Sequence, residues 1–363
     1  MKILCIAPYH VSGALALLQQ EHQRRGHECR NVTLFRSPFG FEEDICLDLP
    51  LQPDNNIIIG ARRLLHRLTR GPLADDTPIE ERPPWWHSPS PLASLFFRMR
   101  DTIMAPKVQA AFQKFHFDDF DIVWLDQGAE FFRDARIVRR WAARGKPMMA
   151  FYHGSDMRNR GIYPQVDQHL GLRLTSEVDL LHMDDRLKYL FLPYDTGKIQ
   201  PVVPKAGEKI RIVHAARVRA FKGTDTIIEV VKRLEKWYPV ELVLIENMPY
   251  DEAMKLKSTC HIAVDQIADT GGWGYGMSSV EYLSLGIPTC TSMVPEMVEF
   301  LPDHPFIAVT ADTLETELVH LIEDEKFRLR KGEEGREWVV SHHDVRHVVD
   351  RLYTLWKEAG WMP

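Results

Sequence analysis

Short apolar runs alternate with amphipathic helical patterns along most of the chain. An apolar run over 2–7 is followed by a Leu-rich helical pattern over 14–25, a glycine, and a second apolar run over 28–35. A strand, a helix and a strand in this order form a βαβ unit with parallel strands. The alternation restarts with a strand over 210–216 and a helix over 223–237. We therefore expect an α/β protein with two doubly wound, Rossmann-like domains.

The remaining periodicity predicts further elements in both halves. Additional strands are expected over 121–125, 147–152, 177–181, 189–193, 241–246, 261–266, 288–292 and 306–309. Additional helices are expected over 95–116, with a kink or restart at Pro106, and over 131–144, 250–257, 277–285, 314–322, 324–340 and 343–360. The Gly- and Pro-punctuated stretch 194–208 has little periodicity, so we predict a linker there. It separates domains 1–201 and 202–342 near Pro201.

Composition narrows the class of protein. With 363 residues, of which 45% are hydrophobic and 26% charged, the chain suits a soluble two-domain protein. A net charge of −6 argues against nucleic acid as the main partner. The five cysteines are scattered without CxxC spacing, which predicts buried reduced thiols in a cytoplasmic protein. We expect no signal peptide, because the chain opens directly on a strand, and no membrane-spanning segment.

The most informative stretch is GGWGYGMSSVE, residues 271–281. It follows an apolar strand, and its glycines, Gly274 and Gly276 among them, let a ligand approach the backbone. The helix that begins there presents the N–H groups of Met277, Ser278 and Ser279, which attract phosphate. Glu281 lies one turn further on. A nucleoside diphosphate fits this pattern, with its diphosphate on the amides and its ribose on the carboxylate; the alternative is a Gly-rich turn beside a surface glutamate.

Two cations stand in the loop after the strand over 210–216. Arg217 and Lys222 lie at the end of that strand, just before a helix opened by glycine. They can neutralise the diphosphate that the Gly-rich stretch would hold. The alternative is a loop with two solvated basic residues.

A second polar cluster follows the predicted strand over 147–152. This strand runs directly into HGSDMR, which contains His153, Asp156 and Arg158. Ligands of open α/β sheets bind at the carboxyl ends of the strands. His153 can titrate near neutral pH, and Arg158 can bind phosphate or carboxylate. Alternatively, Ser155 or Asp156 caps a helix.

Three further features have competing interpretations. The loop over 8–13 lacks the GxGxxG fingerprint, and its single glycine, Gly13, brings the backbone near a ligand or merely begins a helix. His343 and His347 have the spacing of a metal-binding pair, but no third ligand is evident, so we expect a solvated pair. The basic segment 57–70 and the aromatic region up to 100 form a membrane or lipid-linked acceptor contact, or a helix packed with its arginines outward.

Taken together, these motifs resemble the group-1 (glycogen-synthase-like) retaining glycosyltransferases of the GT-B fold. Arg217 and Lys222 match the family element in which an arginine stands five residues before a lysine, with Ala216 in place of its glycine. The family's Glu-x-Phe-Gly-x4-Glu motif and Gly-x-Pro ending are matched by Tyr275, Gly276, Glu281, Gly286 and Pro288. The histidine of HGSDMR matches a family histidine that follows a strand. The resemblance covers most of 205–300 and the N-terminal half in outline.

The resemblance implies transfer of a sugar from a nucleotide-diphosphate sugar to an acceptor hydroxyl, with retention of configuration. Two Rossmann-like domains would face each other across a cleft, with the acceptor on the N-terminal one and the donor on the C-terminal one. The final helix, 343–363, would pack back on the first domain. Arg217, Lys222 and the amides of 276–279 would stabilise the diphosphate without a metal ion or a cofactor, Glu281 would hold the ribose, and His153 would contact the sugar or leaving group.

One departure concerns the first glutamate of the paired motif. Trp273 stands at its position and cannot accept the hydrogen bonds that this glutamate takes from the donor sugar. A subgroup of bacterial sugar transferases with a similar pattern also lacks this glutamate, so we expect activity. Asp265 either lies near the donor or is a structural residue at the end of a strand. The rival hypotheses are an epimerase or phosphorylase of the same fold, and a degenerate transferase that binds nucleotide or a partner without turnover.

Overall fold

The structure is a computed structural model that describes residues 1–11, 13–38, 40–52, 85–86, 91–201, 209–268 and 272–362. The segment 57–70, most of 83–91 and Gly271 lie outside the described residues. The chain forms two compact units. The first comprises Met1–Leu190 and Val349–Pro363, and the second comprises Phe191–Val348. The chain therefore leaves the first unit at Leu190, before the boundary predicted near Pro201.

The first unit contains a seven-stranded parallel sheet with the strand order β3-β2-β1-β4-β5-β6-β7. Its strands are β1 Lys2–Ala7, β2 Glu28–Thr33, β3 Ile45–Cys46, β4 Ile122–Asp126, β5 Met148–Tyr152, β6 Leu172–Thr175 and β7 Leu187–Tyr189. The strand order reverses between β1 and β4, where Ile3 lies opposite Ile122. Connections on the two sides of such a reversal diverge and open a crevice at the carboxyl ends of the strands.

Helices flank this sheet and cover its apolar strands. They are α1 Ala14–Arg24, α2 Pro91–Phe115, α3 Arg136–Ala142, α4 Pro164–Asp167 and α5 Val178–Leu181. Strands β1, β4 and β5 are almost entirely buried, as expected for parallel strands with helices on both faces. Helix α2 continues through Pro106 instead of restarting there.

Two predicted strands of this unit differ from the structure. The strand predicted over 189–193 lies too late in the chain, because β7 is Leu187–Tyr189 and 190–193 are not a strand. The strand predicted over 177–181 is instead Glu177 followed by helix α5, Val178–Leu181. The strand in this part of the chain is β6, Leu172–Thr175, which the sequence analysis did not predict. The sequence EVDLL alternates like a strand, but at five residues periodicity cannot separate a strand from a helical turn. Pairing with β5 decided the matter, since Phe151 lies opposite Leu174.

The second unit contains a five-stranded parallel sheet with the order β12-β11-β10-β8-β9. Its strands are β8 Ile210–Ala215, β9 Val240–Ile245, β10 Ile262–Val264, β11 Thr289–Thr291 and β12 Ile307–Ala308. Its helices are α6 Arg219–Lys222, α7 Thr224–Leu234, α8 Tyr250–Lys257, α9 Met277–Ser284, α10 Pro295–Phe300, α11 Leu314–Glu323 and α12 Glu325–His343. The order reverses between β8 and β10, so the crevice of this sheet lies at the loops that follow these two strands.

The predicted final helix over 343–360 is interrupted at its start. Helix α12 ends at His343, and a new helix, α13, spans Val345–Glu358. The carboxylate of Asp344 accepts the N–H of Arg346 at 3.0 Å, which stabilises the start of α13. From Val349 onward α13 belongs to the first unit, where the indole N–H of the fully buried Trp356 points at the sulfur of Met149, 3.2 Å away.

The prediction that His343 and His347 are solvated is wrong for His343. Its side chain is 2% exposed, Nδ1 lies 2.8 Å from the carbonyl oxygen of Leu192, and Nε2 lies 2.9 Å from the hydroxyl of Tyr275. Burial lowers the pKa of His343 to about 4. Both ring nitrogens are therefore used within the second unit, and the residue is part of its core.

Candidate functional site

The polar groups of the second unit converge where its strand order reverses. Lys222 comes from the connection after β8, and Asp265 follows the last residue of β10 directly. The two side chains form an ion pair. The connections after β8 and β10 thus meet through Lys222 and Asp265, at the point where an open α/β sheet places its ligand.

Asp265 is the centre of this cluster. Its side chain is fully buried, and its Oδ2 accepts the N–H of Gly276 at 3.0 Å and the hydroxyl of Ser279 at 2.6 Å, while Oδ1 faces the Lys222 ammonium. Burial by itself raises the pKa of Asp265, but the charge and hydrogen bond of Lys222 and the two other donors hold it below its ordinary value. The carboxylate is therefore ionised and fixes both the cation and the start of α9.

The Gly-rich stretch brings the N-terminus of α9 to the same place. Gly276 precedes the helix in an extended conformation, and a Cβ atom there would lie 3.6 Å from Oδ2 of Asp265 and 3.7 Å from Nζ of Lys222. Gly274 has a φ of 73° and a Cβ atom would lie 2.9 Å from Met297, so a glycine is required. Met277 and Ser278 are partly exposed, and first-turn N–H groups have no acceptor within their own helix. These amides stand ready for an anion.

Lys222 keeps donor capacity for such an anion. An ammonium group carries three N–H donors, and the ion pair with Asp265 uses one of them. The Lys222 side chain is 19% exposed, so a ligand can reach it. Arg217 lies exposed on the same connection, two residues after the end of β8. The structure therefore brings together Lys222 and the start of α9, two of the groups that the sequence analysis placed around one diphosphate. The predicted contribution of Arg217 stays a prediction.

Glu281 is not the surface glutamate of the alternative interpretation. It forms an ion pair with Lys257 of α8, and the two side chains are only 12% and 5% exposed. The Lys257 ammonium also lies 4.9 Å from the ring centre of Tyr282. Lys257 was not singled out in the sequence, because nothing local connects α8 to the Gly-rich stretch. A contact between Glu281 and a ribose stays a prediction.

The first unit has its own polar cluster at the carboxyl ends of β4 and β5. His153 follows β5, and its Nε2 lies 3.2 Å from Oδ1 of Asp126, the last residue of β4. The backbone N–H of His153 donates to the buried carboxylate of Asp156 at 3.0 Å. Residues Ser155–Arg160 form a π-helical turn, a rare conformation that is frequent at functional sites. Asp126 was missed in the sequence, although its position at the end of an apolar strand was the available signal.

Arg158 is already engaged by two carboxylates. It forms ion pairs with Glu177 and Asp179, and its own side chain is largely buried. The backbone N–H of Gly154 donates to Glu177 at 2.6 Å. Through these contacts Arg158 helps to hold the loop after β5 in place. Its predicted contact with a ligand stays a prediction.

The loop after β1 borders the crevice of the first sheet. Gly13 has a φ of 70° and begins α1, which fits the interpretation of a helix-start glycine. His10, not singled out in the sequence, is 5% exposed, and its Nδ1 lies 3.1 Å from the carbonyl oxygen of Glu42. Within the described ranges its Nε2 has no hydrogen-bond partner. A buried ring nitrogen of this kind is a polar contact left for a ligand or water.

The pair of His153 and Asp126 carries a pH-dependent prediction. Burial lowers the pKa of His153, but the charge and hydrogen bond of Asp126, with Asp156 and Glu177, raise it to about 9. His153 is therefore a cation at neutral pH. Because its pKa lies above the unfolded value of about 6.5, its stabilisation is complete below about pH 6.5 and is lost as the pH rises through about 9.

We expect D126N to return the His153 pKa toward its unfolded value. The midpoint is measured from the ring proton signals by NMR titration, with His153→Gln used to assign them. D119N is the matched control, because Asp119 is exposed on the turn before β4. It lies at the amino ends of the strands, whereas His153 lies at their carboxyl ends. An unchanged midpoint in D126N contradicts the assigned cause of the shift.

Comparison with known proteins shows the fold. No protein-family model matches the sequence, and no curated protein matches it. Among solved structures, HepE of Anabaena in complex with UDP-glucose superposes with a TM-score of 0.56 at 11% identity, covering 99% of this chain and 100% of that one. The apo structure of OtsA superposes with a TM-score of 0.57 at 11% identity, covering 98% and 99%. The fold is GT-B. A protein of Listeria monocytogenes assigned as a UDP-N-acetylglucosamine 2-epimerase superposes at 0.51, with 11% identity and 99% and 96% coverage.

The described helices also bear on membrane insertion. Within the described ranges, no helix combines the length and the apolar content needed to cross a bilayer.

Proposed function

We propose that this protein is a glycosyltransferase that moves a sugar from a nucleotide-diphosphate sugar to an acceptor hydroxyl. The observation that carries the proposal is the convergence of Lys222 and the N-terminus of α9 at the strand-order reversal of the second sheet. Two unlike anion-binding groups are held there by one buried carboxylate, Asp265. A GT-B fold with such a site in its C-terminal unit supports a donor site for a nucleoside diphosphate.

The chemistry that this site offers is stabilisation of a departing diphosphate. When the glycosidic bond to the donor breaks, negative charge develops on the phosphate oxygens. The Lys222 ammonium and the N–H groups of Met277 and Ser278 are already oriented, so they need little reorganisation as that charge appears. Arg217 adds a second positive charge from the same connection. We propose that these groups neutralise the leaving group without a divalent metal ion, and that the transfer retains configuration.

The remaining assignments extend from this centre. Glu281 binds the ribose hydroxyls, and Lys257 holds its carboxylate in place through their ion pair. His153, a cation through Asp126, stabilises the sugar or the leaving group from the first unit's crevice. We place the reaction in carbohydrate biosynthesis in the cytoplasm. Trp273 stands where related enzymes have a glutamate, so the donor sugar meets an aromatic face instead of an acceptor there.

A second candidate is a nucleotide-binding protein without turnover. Trp273 favours it, because the indole removes a hydrogen-bond acceptor from the sugar site. The ion pair of Lys222 with Asp265 favours it too, since the Asp265 carboxylate already neutralises part of the positive charge that would stabilise a leaving diphosphate. Leakage of nucleoside diphosphate from the donor in the absence of acceptor separates the two. A transferase releases it slowly and a binding protein releases none, whereas an epimerase is recognised by the epimeric nucleotide sugar that it forms without acceptor.

We expect one nucleotide series to raise the melting temperature. UDP, GDP, ADP and TDP and their common sugar conjugates are screened by thermal shift, first without metal and then with Mg²⁺. A ligand at 100 times its Kd stabilises the folded state by about 2.7 kcal/mol. Lys222→Ala and Glu281→Ala should each weaken the shift. Lys236→Ala should leave the shift unchanged, because Lys236 is exposed in the turn before β9, at the amino ends of the strands and away from the site. A folded sample that responds to none of these nucleotides contradicts the donor site.

A further inference from the structure

Helix α2, Pro91–Phe115, has two apolar faces. One face packs into the core of the first unit through Met104, Val108 and Ala111, which are 1%, 1% and 6% exposed. A surface helix normally turns polar side chains outward on its other face. Here the outward face is apolar as well, and its four large side chains are Leu92, Leu95, Met99 and Ile103.

These four side chains form one continuous exposed stripe. They are 58%, 63%, 51% and 50% exposed, and spacings of three and four residues align them along one side of the helix. At 1.5 Å per residue the stripe is about 17 Å long. Among the described residues of the first unit, Val11 is the one other large apolar side chain with comparable exposure. Scattered exposed apolar residues are ordinary, but an aligned row marks an interaction surface.

The exposed charged side chains of α2 itself are all positive, and the exposed Asp48 lies next to one of them, since Lys107 donates to the carbonyl oxygen of Asp48 at 2.6 Å. Arg98, Lys107 and Lys114 are all exposed on this helix. The single acidic residue of α2 is Asp101, which is buried against Arg100 and accepts the backbone N–H of Arg133 at 2.8 Å. The outward surface of α2 therefore combines an apolar row with three cations and no exposed carboxylate.

We propose that α2 docks the protein on an anionic lipid bilayer. Helices that lie in the plane of a membrane interface bury an apolar face among the acyl chains and place Lys and Arg near anionic headgroups. The stripe of Leu92, Leu95, Met99 and Ile103 supplies the first part, and Arg98, Lys107 and Lys114 supply the second. A second copy of the chain is a poorer occupant, because a two-fold axis would bring these cations against each other, and α2 exposes no carboxylate of its own to offset them.

The test is co-sedimentation of the full chain with vesicles. Vesicles of phosphatidylcholine alone are compared with vesicles that contain phosphatidylglycerol, at low salt and at about 0.5 M salt, where screening shortens the range of the attraction. We expect binding to the phosphatidylglycerol vesicles at low salt and much less binding to either vesicle at high salt. The double variant L95Q/M99Q should bind at least tenfold more weakly, and R98Q about fivefold more weakly.

Controls separate docking from misfolding and from self-association. Both residues of L95Q/M99Q are at least half exposed, so its melting temperature should equal that of the wild type; L92Q/I103Q is the second variant if it does not. Trp237→Gln is the matched control, because Trp237 is 83% exposed in the second unit and should leave binding unchanged. The proposal is overturned by absent binding to anionic vesicles at low salt, by binding that survives both stripe variants, or by a stripe-dependent dimer in light scattering.

Discussion

We expect Lys222→Ala to lower turnover about 100-fold, the cost of removing one oriented donor from the charge that develops on a leaving group. The Lys222 ammonium and the start of α9 flank the same carboxylate, so Lys222 lies where the diphosphate would bind. The loss should appear in kcat more than in KM, because the interaction strengthens as the bond to the sugar breaks. It is measured as nucleoside diphosphate released by the wild type and the variant with the donor found by thermal shift.

This variant needs a partner variant because it also changes stability. Removing Lys222 leaves the carboxylate of Asp265 buried without its cation, which destabilises the fold. In K222A/D265N both charges are absent, so stability should recover while turnover stays low. Lys236→Ala serves as the charge-matched control. If K222A/D265N is folded and as active as the wild type, Lys222 has no part in the mechanism.

Asp265→Asn should lower the free energy of unfolding by about 3 kcal/mol, the lower end of the cost of breaking a buried ion pair. The asparagine amide has one acceptor oxygen where the carboxylate offers two, so Lys222, Gly276 and Ser279 compete for it. Because the pKa of Asp265 is held below its ordinary value, its stabilisation is present above about pH 3.9 and is lost as the pH falls through the folded pKa. Urea unfolding of both proteins at neutral pH measures the difference.

Activity then shows whether Asp265 is a positioning residue. If it acts by holding Lys222 and the start of α9, D265N lowers turnover in the wild-type background but adds no further loss to K222A. Asp225→Asn is the matched control, because Asp225 is 81% exposed on α7 of the same unit, and it should change neither stability nor turnover. An additive loss in the double variant shows instead that Asp265 contacts the donor itself, and an unchanged stability of D265N contradicts the ion pair.

Local sequence patterns were sufficient for the elements that carry the site. The apolar run of β8, its following cations, and the glycines that open α9 lie within short stretches of chain, where periodicity and the chemistry of turns act directly. The predicted buried cysteines follow from the same patterns, and four of the five are buried. The strand predicted at 177–181 failed because a five-residue alternation carries too little information without its sheet neighbour.

The sequence by itself determined that the chain forms two parallel sheets built from βαβ units. It also determined which loops follow the strands and which cations and glycines lie in those loops. Only the tertiary structure decided which of these ends meet. Lys222 and Asp265 are paired because β8 and β10 are neighbours at the reversal of strand order, and His153 and Asp126 are paired because β5 lies beside β4. Similarly, the sequence predicts a helix over 95–116, but packing alone decided that Leu95 and Met99 face outward while Met104 and Val108 are buried. The reason is physical: local preferences act over a few residues, whereas strand order and the choice of buried face depend on the free energy of packing the whole unit.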